Sequence, residues 1–369
     1  MKKLSILTTP AIALGVGVLC APQALAASYT LSQTNINAAA GAAGTNTNGI
    51  FCDDVQKDFC TLSAGDWTQE GDIDLTTVEI DAGTPINGLV LQNNVNITNP
   101  NGGTIKGNID ITADKVSLTD LNVTSDASGL GISNADAEVT INGGSYTNEG
   151  MGGALNINNS KSVTIDGASF AANGASAAYI GAGDITIKGN SSFTSQGDNG
   201  IELFGFKSLN ISGGTFTGAA SGLAFDSVPN GSTVSLTGGT FTGTGANGKA
   251  IIVYNNATES TVSGMVASGY HFSNNTIQTE TGLGGGTYIA GTTKVLSDNQ
   301  QSGETGGSTT DPTTSTSTTK KSGLGAPDTG AFTAEEGSAT SSSSILTVMA
   351  TVLVALTGAI LVKKHSKRA

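Results

Sequence analysis

From residue 116 to residue 253 the chain repeats one pattern six times, and that repeat limits it to very few folds. Each copy opens with an apolar-polar-apolar triplet: Val116-Ser117-Leu118, Val139-Thr140-Ile141, Val163-Thr164-Ile165, Ile185-Thr186-Ile187, Leu209-Asn210-Ile211 and Val234-Ser235-Leu236. The starts lie 23, 24, 22, 24 and 25 residues apart. A second β-rich stretch follows, carrying Val123, Tyr146, Phe170, Phe193, Phe216 or Phe241. A third holds Leu130, Leu155, Tyr179, Ile201, Leu223 or Ile251. A unit this short cannot bury its apolar residues alone, so it stacks on its neighbours and shares one core.

The alternation within each triplet has period two, which sends its first and third residues to one face of a strand. A sandwich also alternates, but it does not bring matching residues back into register once per repeat. Stacked coils lie about 4.8 Å apart, so like side chains form ladders, and the line from Tyr146 to Phe241 is expected to be an aromatic ladder in the core. The 52 glycines suit turns that need positive φ. The sequence therefore predicts an all-β, single-stranded parallel β-helix over residues 76–270. It would have about eight coils and be about 40 Å long. Val78-Glu79-Ile80 and Val95-Asn96-Ile97 read as earlier coil starts, and Thr261-Val262 as the opening of a last one. The ends of such a rod are open sheet edges. Residues 27–75 and 271–300 are the expected N-terminal and C-terminal caps.

This pattern resembles the right-handed parallel β-helix family that includes pectate lyases, polygalacturonases and many bacterial surface proteins. The resemblance covers about residues 75–270 and implies the right-handed coil. It leaves the activity open, because one fold hosts many functions.

Both termini carry an address. Met1-Lys2-Lys3, an apolar run to Leu19 and the small residues of Ala24-Leu25-Ala26 form a secretory signal peptide, residues 1–26, cut after Ala26. Its removal leaves Cys52 and Cys60, an even pair that is expected to form a disulfide in an exported chain. Residues 301–344 are a Ser/Thr-rich stalk. An apolar transmembrane segment, 345–362, and a basic cytoplasmic tail, 363–369, follow. Within the stalk, at 326–330, Pro327-Asp328-Thr329-Gly330 resembles the cell-wall sorting signal of Gram-positive-type surface proteins. That resemblance implies cleavage by a sortase between Thr329 and Gly330 and attachment to peptidoglycan. Ala326 stands where that signal usually has leucine.

The chain carries a formal net charge of −13. Without Lys2, Lys3, Lys363, Lys364, Lys367 and Arg368, the exported part holds 10 lysines against 29 acids, a net −19. Such a surface repels phosphate backbones and excludes nucleic acid as a partner class. The family's lyases abstract a proton with Arg or Lys beside carboxylate-held calcium, and its hydrolases use an Asp cluster with a Gly-His-Gly motif. The exported part has no arginine, and its one histidine, His271, stands in Gly269-Tyr270-His271-Phe272. The remaining catalytic candidates are Asp198, Glu202 and Asp226, which the coil spacing brings to one face. They would suit an acid/base pair or a calcium site.

The function expected from the sequence is that of a cell-surface adhesin or envelope protein. It would bind a host, cell or glycan ligand without catalysis and be held at the membrane or wall. The alternative is a surface polysaccharide lyase or hydrolase acting through the carboxylates or calcium.

Overall fold

The computed structural model describes residues 27–300 apart from 82, 182, 256 and 282–284. Ala26, the motif at 327–330, the segment at 345–362 and the basic tail lie outside the described residues.

Each opening triplet forms a strand, as in Lys115–Thr119, Glu138–Asn142 and Ser162–Asp166. These strands pair in parallel with the equivalent strand one coil on. Val116 faces Val139, Val139 faces Val163, and Val163 faces Ile185. The second and third stretches do the same, so the chain builds three parallel sheets around one core. The first contains the opening triplets, the second the aromatic stretches such as Ser145–Asn148, and the third strands such as Leu155–Ile157. From Gly65–Glu70 to Thr233–Leu236 the first sheet completes about seven turns of the solenoid, one fewer than the sequence spacing suggested.

The aromatic ladder forms as expected. Tyr146, Phe170, Phe193, Phe216 and Phe241 are fully buried in consecutive strands of the second sheet. Their ring centroids lie 4.9, 5.0, 5.3 and 4.8 Å apart, all stacked. The spacing is that of the strands themselves, so one ring per coil fills the interior without gaps. The corner between the first and second sheets demands glycine. Gly143 and Gly144 have φ of 64° and 83°, and a Cβ at Gly144 would clash with the Leu121 carbonyl one coil below.

Two coil starts read from the sequence are corrected. Val78-Glu79-Ile80 does not open a coil. Asp74 caps a 3-10 turn, Leu75–Thr77, which leads the chain out into a small antiparallel hairpin of Glu79–Asp81 with Thr84–Pro85. The first coil begins instead at Gly65–Glu70, whose buried residues are Trp67 and Gln69 in place of the aliphatic pair. Residues 65–74, read as cap, are thus already part of the ladder. Thr261-Val262 lies in a short helix, Glu259–Ser263, because Thr258 and Thr261 form a capping box there. An isolated parallel bridge between Leu236 and Val266 is what stands in place of the further coil.

The caps cover the sheet edges. Ser28–Ser32 adds itself to the first strand of the first sheet, with Tyr29 stacked on Trp67 at 4.7 Å. Ser32 then caps the helix Gln33–Gly41, which buries Ile36, Ala39 and Ala40. A hairpin of Ile50–Cys52 and Phe59–Leu62 opens the third sheet, and Cys52 is disulfide-bonded to Cys60 as expected. At the other end, antiparallel strands Thr287–Ala290 and Thr292–Ser297 close the third and second sheets. His271 sits in this cap, its Nδ1 2.8 Å from Asp298 Oδ1.

Candidate functional site

In the third sheet the residue between the two core-facing positions of each coil lies on the outer side. One line of register runs from Val90 through Asp110, Gly131, Asn156, Tyr179, Glu202 and Ala224 to Ile252. Tyr179 therefore faces outward, where the sequence placed it in line with the buried Leu155 and Ile201. The residue in line with both is Ala178, and Ile180 is in line with Ile157 and Leu203. A bulky residue beside alanine misled the reading; the triplets Ala178-Tyr179-Ile180 and Ile201-Glu202-Leu203 align once period two is enforced.

Tyr179 and Glu202 are thus neighbours on adjacent strands. Tyr179 packs on Phe204 with ring centroids 4.2 Å apart. Gly181 makes this possible, since a Cβ there would collide with the Phe204 ring.

Asp198 and Glu202 come together as expected, joined through a residue that the sequence did not single out. Ser176 Oγ donates to Glu202 Oε2 at 2.9 Å and also lies 3.3 Å from Asp198 Oδ2. Asn199, which is 3 % exposed, donates to Glu202 Oε2 at 3.3 Å and accepts from Ser221 Oγ at 2.6 Å. The turn that aims Asp198 is set by Ser195, whose hydroxyl accepts from the Asp198 backbone N–H at 2.9 Å and donates to Ala175 O at 2.6 Å. Asp226 follows the strand Ser221–Phe225 of the next coil, its backbone N–H bonded to Leu203 O.

Partial burial pushes all three carboxyl groups above their ordinary range. For Asp198 and Glu202 the Ser176 hydroxyl opposes the shift, and for Glu202 the nearby Asp198 and Asp226 add to it. Tyr254 is pushed up to about 12 by burial and then by the same three carboxylates. Burial, Glu202 and Asp226 raise Tyr179 as well. Among the described residues no group of three or more His, Cys, Asp or Glu lies close enough together to hold a metal ion.

The arrangement can accept hydrogen bonds, stack a ring against a ligand, and share a proton between two carboxyl groups. No family model, curated protein or solved structure matches the chain.

Proposed function

We propose that the chain is a cell-surface, right-handed parallel β-helix of the pectate-lyase-like kind. It binds a glycan or glycan-bearing surface through the outer face of its third sheet, without cleaving it. The observation that carries this reading is the Tyr179–Phe204 ring pair beside hydrogen-bond-accepting carboxylates. A ring face takes the C–H side of a sugar, and carboxylate oxygens accept its hydroxyls. Lyase chemistry of the family's kind uses a basic Arg or Lys, and the exported part of the sequence has no arginine. The signal ending at Ala26, the motif at 327–330, the apolar run at 345–362 and the basic tail support export and anchoring. A sortase and peptidoglycan are the partners that the motif implies.

One observation favours a second reading. Ser176 holds Asp198 and Glu202 side by side, and partial burial pushes both carboxyl groups above their ordinary range. A protonated and an ionised carboxyl side by side is the equipment of a glycoside hydrolase.

The test incubates the full chain with plant, host and bacterial glycans, with and without calcium, reading product release and retention. Saturable retention without release, lost in Tyr179→Ala, supports the binding role. Release that disappears in Glu202→Gln or Asp198→Asn moves the assignment to a hydrolase. Neither release nor retention refutes both and leaves a structural envelope role.

A further inference from the structure

A concavity lies at the N-terminal end of the same sheet, on the hairpin that the disulfide holds. It encloses about 250 Å³. Its position follows from the register of that hairpin. Cys52 faces Cys60 with both side chains buried, so the flanking pair Phe51 and Thr61 turns to the opposite face. Phe59, which is half-buried, lies on that face too, adjacent to Cys60. Phe51 is 37 % exposed, one of three large apolar side chains so exposed among the described residues.

Three amides, Asn46, Gln92 and Asn93, also line it. Asn93 donates to Leu62 O at 2.7 Å, which fixes its side chain. Asn46 is fixed as well, donating to Ser63 Oγ at 2.9 Å and accepting from the Gly49 N–H at 3.1 Å. Gln92 lines the same concavity, is exposed, and its side-chain amide makes no hydrogen bond with another described residue. Asp53 completes the lining, its Oδ1 held by the N–H groups of Val55 and Gln56.

An exposed phenyl ring, a free carboxamide and a carboxylate around a small concavity form a consistent chemical set. The ring offers a flat apolar surface, the Gln92 amide both a donor and an acceptor, and the carboxylate an acceptor. A purely hydrophobic ligand would leave the Gln92 amide without a partner, and an anion would meet Asp53. A pyranose satisfies all three, with C–H groups on one face and hydroxyls around its edge. The volume suits one such ring, below the range of about 300–1,000 Å³ typical of drug-sized sites.

We propose that this concavity is a sugar-binding site of its own, taking one uncharged pyranose against Phe51, with Gln92 and Asp53 reading its hydroxyls. It is separate from the Tyr179–Glu202 face, which lies several coils along the sheet. The chain leaves the solenoid from the opposite cap, after Thr292–Ser297. The disulfide has a chemical purpose in this scheme: it fixes the two strands that carry Phe51, Phe59 and Thr61 before any ligand arrives.

The experiment titrates the full chain, purified in detergent, with glucose, galactose, mannose and N-acetylglucosamine, each read by saturation-transfer NMR. Phe51→Ala, Gln92→Ala and Tyr179→Ala are titrated alongside. Both Phe51 and Gln92 are exposed, and an unchanged melting temperature in these variants shows that the fold is kept. At least one sugar should bind, weakened about tenfold or more by Phe51→Ala and measurably by Gln92→Ala. Binding that survives both cap substitutions but falls in Tyr179→Ala overturns the second site and leaves the first. No binding of any of the four sugars overturns the proposal without touching retention of longer glycans on the third-sheet face.

Discussion

Ser176 Oγ sits between two carboxyl groups, 2.9 Å from Glu202 and 3.3 Å from Asp198, with one proton to give. The second carboxyl must bring its own proton, accept from elsewhere or stay unsatisfied. Partial burial raises both groups in the direction of the first solution.

Because these carboxyl groups titrate higher in the folded chain than when unfolded, the folded chain holds more protons in the window between the two values. Stability from the pair is therefore present at low pH and is lost as pH rises through the raised folded values. Glu202→Gln, which keeps the shape without the charge, should raise the melting temperature at about pH 7. It should also flatten the loss of stability expected of the native chain as pH rises above the ordinary carboxylate range. Thermal melts over that rise in pH check this; an identical pH slope in the two proteins would refute it.

Tyr146 begins the aromatic ladder, and its hydroxyl is buried without a hydrogen-bond partner. The next four rungs of the ladder are phenylalanine. Tyr146→Phe removes an unsatisfied polar group and keeps the ring, so it should stabilise the chain by about 1 kcal/mol. Chemical denaturation measures the difference, and a loss of stability would mean that the hydroxyl is satisfied in solution.

Phe193 stands in the middle of the ladder, stacked on Phe170 at 5.0 Å and Phe216 at 5.3 Å. Phe193→Ala opens a cavity that neighbouring coils cannot fill, because each is held in register by its own sheet bonds. The cost should be about 3–5 kcal/mol. The same substitution at the exposed Phe51 should cost well under about 1 kcal/mol, and comparing the two melts tests whether the ladder carries the core.

The Cys52–Cys60 bond closes a short loop. Replacing both cysteines with serine should lower stability by about 2–3 kcal/mol by the loop-entropy estimate. The loss should appear in hydrogen exchange of Ile50–Cys52 and Phe59–Leu62 before it appears in the central coils, since a solenoid couples mainly neighbouring repeats. Uniform loss of protection along the chain would contradict nearest-neighbour coupling.

The coil region was legible because each repeat has the same task, and that task writes itself as period-two alternation. Val116, Val139 and Val163 stack as the spacing implies, and so do the rings from Tyr146 to Phe241. The ends were less legible, for a physical reason. A capping residue is chosen to cover an edge once, so nothing recurs; Gly65–Glu70 is the first coil although its buried residues are Trp67 and Gln69. Val78 imitated a coil start because its neighbours alternate, yet the turn capped by Asp74 diverts the chain.

The site divides in the same way. Spacing alone brought Asp198, Glu202 and Asp226 to one face, because a coil repeat fixes which residues become neighbours. Register decided the rest. Tyr179 is outward because Ala178, not Tyr179, continues the column of Leu155 and Ile201. Its pairing with Phe204, and the hydroxyl that Asp198 and Glu202 share, exist only once adjacent coils are stacked. The sequence by itself determined the repeat, the alternation and the disulfide partners, which depend on local order and spacing. The tertiary structure decided which side chains meet across coils, because those contacts join residues more than twenty positions apart along the chain.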